Sequence, residues 1–387
     1  MGQAIIGLIA GSLCFLSLWI VLPAPNLWLL RLSIGAPEVS PLLVAISAIA
    51  LLSIRWLYPK QLPQALIALL LISLALSSLP LLQQPNAVAK AEASFSTVFP
   101  NQGKPATNPT FSLINFVKGF SSPNVRVQTG IPFAAPDGVS LTLDVYQPAQ
   151  SGKQSGEYPA VITIYGGSWS SGSPQASAQF GRYLAARGYV VTAIDYRHAP
   201  AYRFPTQLED VQNAIAFVRE HAKAYEIDPA RISLVGWSAG AHLALLAGFQ
   251  STEPIRSIIN YYSPVDLTEG YTDLPSPDPI DVQQTLRAFI GGSPSELPSA
   301  YVQASPSTYV KAAKPNTLPP VLLIYGGRDH IVEARFGQYL HEIMAQSQNK
   351  SVWVKIPWAD HAFDKVFNGV SNQLALHFVE RFLHQTL

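Results

Sequence analysis

The sequence predicts an α/β chain, a doubly wound and mostly parallel sheet preceded by three membrane-spanning helices. Three observations carry this. The apolar run Ile232 to Val235 is followed at once by Gly236-Trp-Ser-Ala-Gly240 and then by an Ala- and Leu-rich stretch, Ala241 to Gly248, which reads as strand, sharp turn and helix. From Val125 onward, apolar runs of strand length alternate with helical periodicity, the pattern of a parallel sheet covered on both faces. Before that, three long apolar runs dominate the first ninety residues.

Those runs are Ala4 to Leu22, Pro41 to Leu57 and Leu62 to Leu82, each close to the roughly 20 residues a helix needs to cross a bilayer. The few charges, Arg31, Glu38, Arg55 and Lys60, fall at the ends of runs or between them. Trp19, Trp28, Trp56 and Tyr58 sit near the ends, as an interfacial belt requires. Buried helices of a soluble core are the competing reading, and three such runs with almost no polar face argue against it. Arg55 and Lys60 flank the second connection, which the positive-inside tendency keeps cytoplasmic, so everything after Leu82 is expected outside, on a multi-pass integral membrane protein. No carboxylate or histidine lies within a run, which disfavours an ion-coupled transporter. Residues 1–84 are thus expected as a membrane anchor in the bilayer. Residues 85–123, rich in Pro, Asn, Ser, Ala and Gln, read as a tether. Within it Ala87-Val-Ala89 resembles a cleavage site, although an Ala-rich linker is the simpler reading.

Residues 124–387 supply the sheet. Val139 to Tyr146 alternates as a half-exposed strand does, and Ala160 to Tyr165 and Val190 to Ile194 are continuous apolar strands. Gln175 to Arg187 reads as a helix ended by Gly188, and Thr206 to Tyr225 places Leu208, Val211, Ala214, Ile215 and Val218 on one face. After the helix that follows Ser238 come a strand, Ile255 to Tyr261, and an insertion at about 263–320. That insertion carries Leu267, Tyr271, Leu286, Phe289, Ile290 and Tyr301, and is expected to cap a pocket rather than hang disordered. Val321 to Tyr325, Glu333 to Gln346, Val352 to Ile356 and Ser371 to Leu383 complete the alternation.

Composition removes other classes. A net charge of +1 with 13% charged residues leaves no nucleic-acid footprint. Cys14 is the one cysteine, so no intramolecular disulfide forms.

The residues that carry chemistry all follow strands, where ligands bind in such sheets. Serine is a weak nucleophile until a base takes its proton and a third group orients that base. Ser238 occupies the glycine turn, where the helix start aims free N–H groups at developing negative charge. Tyr325-Gly-Gly-Arg-Asp329 follows one strand and Ala359-Asp-His361-Ala-Phe363 the last. The order Ser238, Asp329, His361 is the order this architecture uses. Asp329 is therefore the expected orienting acid and His361 the general base. Asp360 is the rival acid, but adjacent residues rarely form a carboxylate–imidazole bond, so a turn-stabilising role suits it better. His242, one turn into the helix after Ser238, reads as packed or surface. His198 and His330 lie on loops, and His221, His341, His377 and His384 fall on or at the ends of helices. Tyr165-Gly-Gly-Ser-Trp169 also follows a strand, and the amides of Gly166, Gly167 and Ala239 are the expected oxyanion donors.

With these pieces in place, residues 125–387 resemble the α/β-hydrolases of the hormone-sensitive-lipase and feruloyl-esterase-like branch. The matching segments are Tyr165-Gly-Gly-Ser-Trp169, Asp195-Tyr-Arg-His-Ala-Pro200, Phe204-Pro205, Gly236-Trp-Ser-Ala-Gly240, Gly327-Arg-Asp329 and His361-Ala-Phe363. The resemblance implies the α/β-hydrolase fold and hydrolysis of a small-molecule ester or lipid, with no metal or organic cofactor. It maps the nucleophile to Ser238, the acid to Asp329, the base to His361 and the oxyanion donors to Gly166, Gly167 and Ala239. Two positions depart from the family's His-Gly-Gly-Gly: Tyr165 stands for the His and Ser168 for the third Gly. A peptidase or amide hydrolase on the same scaffold, and a non-catalytic membrane-tethered binding protein, are the alternatives. The complete triad argues against the second.

Overall fold

The computed structural model of the chain describes residues 2–58, 63–100, 109–121, 124–149 and 158–387. Its N-terminal part is helical: α1 (Gly2–Leu18), α2 (Leu27–Glu38), α3 (Ser40–Leu57), α4 (Gln64–Val98) and the short α5 (Leu113–Lys118). The three expected spans do not form. Among the described residues α4 is the one helix long and apolar enough to cross a membrane, or there are two if α2 and α3, bent by 74°, count as one broken span. The first run ends early as α1, because Pro23 and Pro25 follow it and the chain turns before α2. The second run does form a helix over its expected residues, α3, with Pro41 in its first turn, but it meets α2 at a sharp bend and passes as a span only together with it. Hydropathy counts apolar residues and is blind to where the backbone turns. The expected orientation falls with the three crossings, and Lys60, on which it also rested, lies outside the described residues.

Ser17 on α1 and Ser47 on α3 each meet the Ser73 hydroxyl of α4, at 2.8 and 2.9 Å. These bonds tie apolar helices together where burial alone would be non-directional. The first part of the stretch expected as a tether is helical, since α4 continues unbroken to Val98 with Ala87 and Ala91 buried. Its second half has its own partners. Phe95 packs between Phe99 and Phe378, Glu92 pairs with Arg381 at 2.5 Å, and Ser94 Oγ accepts from the Trp353 amide at 2.8 Å.

The sheet comprises β1 (Arg126–Ala134), β2 (Leu141–Gln147), β3 (Tyr158–Ile164), β4 (Val190–Ile194), β5 (Ile227–Trp237), β6 (Ser257–Tyr261), β7 (Val321–Gly326) and β8 (Ser351–Ile356). Their spatial order is β1-β2-β4-β3-β5-β6-β7-β8. The β1–β2 and β2–β4 pairings are antiparallel, and the rest are parallel. β4, β6 and β7 are buried along their whole lengths, as apolar runs covered on both faces must be. The connecting helices are α6 (Ala178–Ala185), α7 (Thr206–Glu220), α8 (Ala239–Phe249), α13 (Ala334–Gln346) and α14 (Val370–Thr386), while α9 (Leu267–Thr272), α10 (Val282–Ile290), α11 (Pro298–Gln303) and α12 (Pro306–Ala312) form the insertion. Leu267, Leu286, Phe289, Ile290 and Tyr301 are all buried, so the insertion is an ordered cap with its own apolar contacts. β5, β7 and β8 run parallel side by side with β6, so the loops after them open on one edge of the sheet.

Candidate active site

β5 ends in a turn that lifts Ser238 clear. Its backbone sits at φ 51° and ψ −120°, a region costing a non-glycine residue of order 1–3 kcal/mol unless the surroundings fix it. They do. A Cβ at Gly240 would lie 2.1 Å from the Ile164 carbonyl oxygen, and one at Gly236 would lie 2.4 Å from the Ala241 nitrogen. Both motif glycines are therefore demanded by backbone contact, and the Ser238 N–H donates to the Tyr261 carbonyl of β6 at 2.9 Å.

The loops after β7 and β8 bring the other two expected residues to this turn. His361 Nε2 lies 3.1 Å from Ser238 Oγ, and its Nδ1 lies 2.8 Å from Asp329 Oδ2. The other Asp329 oxygen accepts the N–H groups of Ile331 and Val332 at 2.9 and 2.8 Å, which fixes the carboxylate's plane. His361 is buried, and burial alone would favour its neutral form. The charge of Asp329 and its hydrogen bond, with the charges of Asp360 and Asp364, outweigh burial and hold the imidazole pKa above its ordinary value. Tyr262 packs on the His361 ring. Asp360 does not face the His361 ring nitrogens. Its carboxylate accepts the His361 N–H at 2.7 Å and sits 3.1 Å from His330 Nδ1, holding the two loops together.

Gly166 and Gly167 open the loop after β3. A Cβ at Gly166 would lie 2.6 Å from the Trp237 carbonyl oxygen and 3.1 Å from Ser238 Cβ, so this loop rests directly on the serine turn. Gly167 (φ 140°), Ser168 (φ 52°) and Trp169 (φ 57°) all hold the left-handed side of backbone space. Ser168 thus takes a conformation that glycine favours, at the position where the resembled family has glycine. Ala239 begins α8, so its N–H has no helical acceptor. Gly166, Gly167 and Ala239 therefore stand together beside Ser238.

Three residues here were under-read from sequence. Tyr165 donates from its hydroxyl to Asp195 at 2.5 Å, meets His198 Nε2 at 2.8 Å and stacks on Tyr196, which anchors the base of the glycine loop. Trp169 stacks on Phe289 of α10 with ring centroids 4.2 Å apart. His242 is fully buried: its Nδ1 accepts from Trp169 Nε1 at 3.2 Å and its Nε2 donates to the Ala304 carbonyl at 2.6 Å. It joins the glycine loop to the cap. Pairing of large aromatic residues across the two segments was the available signal, but periodicity within either one does not report it.

Between the cap and the serine lies a cavity, part of it open to solvent, reached by Ser168, Trp169, Ser238 and Ala239 and walled by Leu267, Ile280, Val282, Leu286, Ile331, Val332 and Phe336. Its walls are mostly apolar. Among the described residues no cluster of three or more His, Cys, Asp or Glu side chains is disposed to hold a metal ion.

Comparison with known proteins finds relatives of this chain. The family model described as BD-FAE matches residues 143–344, a span that includes Gly166, Ser238 and Asp329 and stops before His361. A probable carboxylic ester hydrolase of Mycobacterium tuberculosis, LipM, is 27% identical over 243 residues, covering 59% of this chain and 54% of that protein. Esterase LipC of the same organism is 29% identical over 244 residues, covering 59% and 58%. The chain spans little more than half the length of these curated relatives. Among solved structures, the thermophilic esterase Est2 of Thermogutta terrifontis superposes with a TM-score of 0.55 at 26% identity, covering 68% of this chain and 93% of that one.

Proposed function

The chain belongs to the BD-FAE family and carries the α/β-hydrolase fold, and on that premise we propose that it is a serine carboxylic-ester hydrolase acting through an acyl-enzyme. The observation that carries the reading is the unbroken relay Ser238–His361–Asp329 at the mouth of an apolar cavity. Ser238 Oγ attacks the ester carbonyl while His361 Nε2 takes its proton. The same imidazolium then protonates the departing alkoxide. Asp329 holds the tautomer that leaves Nε2 free to accept. The amides of Gly166, Gly167 and Ala239 stabilise the oxyanion, each contributing on the order of 10²–10³ in turnover. Water repeats the sequence to release the acid. The apolar walls suit an acyl chain, and the reading is supported by relatives whose names state ester hydrolysis.

Attachment to a bilayer through α4 belongs to the same proposal. Leu71, Ile72 and Leu82 of that helix are exposed, as are Leu52 and Trp56 of α3, and a lipid phase covers such surface at no cost in unsatisfied polar groups.

The test is hydrolysis of p-nitrophenyl esters from acetate to palmitate by wild type and Ser238→Ala. Turnover is expected on at least part of the series, with a loss on the order of 10⁶-fold in the variant if chemistry limits the rate. Silence on every ester, or activity untouched in Ser238→Ala, would dispose of the reading.

A further inference from the structure

Asp360 is fully buried and takes no part in the relay. A buried carboxylate persists only where donors meet its lone pairs, and its donors come from three separate elements. Oδ1 accepts the N–H of His361 at 2.7 Å and that of His330 at 3.3 Å, so one oxygen spans the loops after β8 and β7. Oδ2 meets His330 Nδ1 at 3.1 Å and accepts the hydroxyl of Ser33 at 2.5 Å. Ser33 lies on α2 and is itself fully buried. On the other side of Asp329, Arg328 donates to the carbonyls of Trp19 and Leu22, at 3.3 and 2.9 Å, in the turn between α1 and α2. Both neighbours of the acid are thus bound to the N-terminal helices, Arg328 directly and His330 through Asp360. A further tie lies at the end of α2, where Glu38 accepts the Ser371 amide that opens α14 at 2.9 Å.

We propose that α2 is part of the catalytic apparatus: Ser33 orients Asp360, and Asp360 is the positioning residue that keeps His361 and the Asp329 loop in register with Ser238. The proposal rests on the ester-hydrolase reading and adds to it a dependence of turnover on the docking of helices that the resembled hydrolase pattern does not include. The charged and titratable groups around His361 are Asp329, Asp360, Asp364 and Tyr262, and those around Asp360 are His330, Arg328, Asp329 and His361 itself. Loss of Ser33 leaves every one of them in place and removes only the donor from α2.

The experiment uses the full chain in liposomes with p-nitrophenyl butyrate as probe. An active wild type beside a silent Ser238→Ala establishes the hydrolase. Ser33→Ala is then expected to lower kcat roughly 10-fold with KM little changed, because a displacement of less than an ångström is amplified in a proton relay. Ser33→Thr, which restores the hydroxyl, recovers most of that loss. Asp360→Asn lowers kcat further and moves the acid limb of kcat/KM to lower pH, since a negative charge beside the His361 imidazolium is gone. Wild-type kcat in Ser33→Ala, or an equal loss in Ser33→Ala and Ser33→Thr, overturns the proposal and leaves the triad standing. If Asp360→Asn does not fold, the Ser33 pair decides alone. An inert wild type removes the hydrolase reading and the role of Ser33 with it.

Discussion

At the scale of single residues, the site depends on backbone that only neighbouring glycines make room for. Ser238 keeps its strained turn because Gly236 and Gly240 let three chain segments touch, and that is why this turn was legible: the motif encodes a steric requirement. Asp329 and His361 were legible for a related reason, since each follows an apolar strand that runs parallel to the one ending at the serine turn, with β6 between β5 and β7. Tyr165 and His242 were not, because their roles lie in partners remote in sequence, Asp195 for one and Ala304 for the other. The electrostatics of His361 give a direct prediction. The proposed base works only when neutral, and surrounding carboxylates hold its pKa above the ordinary value of about 6.5. kcat/KM is therefore expected to fall on the acid side with a single proton uptake whose midpoint lies above pH 6.5. A stopped-flow profile with a midpoint below that value would contradict the assignment of these carboxylates.

At the scale of elements, the cap is held to the core by the Trp169–Phe289 stack and by His242 beneath it. Alternation and composition marked the insertion and its large apolar residues, but not its four helices, whose Pro- and Ser-rich sequence hides them. What the sequence does not express is which loop they grip. Burial lowers the His242 pKa to about 4, below the roughly 6.5 of an unfolded chain. The unfolded state therefore binds the proton more readily. The contribution to stability is complete above pH 6.5 and is lost progressively as pH falls from there to about 4. Thermal unfolding across that window is expected to show wild type losing stability more steeply than His242→Gln, whose amide keeps a donor and an acceptor but does not titrate. Parallel pH dependences in the two proteins would remove His242 as the source.

At the scale of the whole molecule, most strands and helices after Leu141 were readable, although β1 (Arg126–Ala134) and the helices of the insertion were not, and in the N-terminal third the packing was not. Apolar runs identified the helices there, but the turn after α1 falls at Pro23 and Pro25, α4 runs on through Pro80 and Pro85, and their packing is set by contacts far away in sequence. α4 shows the consequence: its second half covers β8, the last strand in the sheet order, with Ser94 capping the Trp353 amide. An uncovered strand edge invites pairing with another chain. A chain starting at Gln84 keeps that cover and is expected to stay dispersed, while one starting at Val125 exposes the edge together with Phe378 and is expected to aggregate. Light scattering on the two distinguishes them, and equal dispersity would show that α4 does not protect the sheet. The central claim is covalent, and the most direct measurement is the intact mass of the whole chain after a rapid acid quench during turnover of p-nitrophenyl butyrate. The account predicts a species heavier by one butyryl group, mapped to the Ser238 peptide and absent from Ser238→Ala. Turnover with no acyl adduct on Ser238 would contradict it.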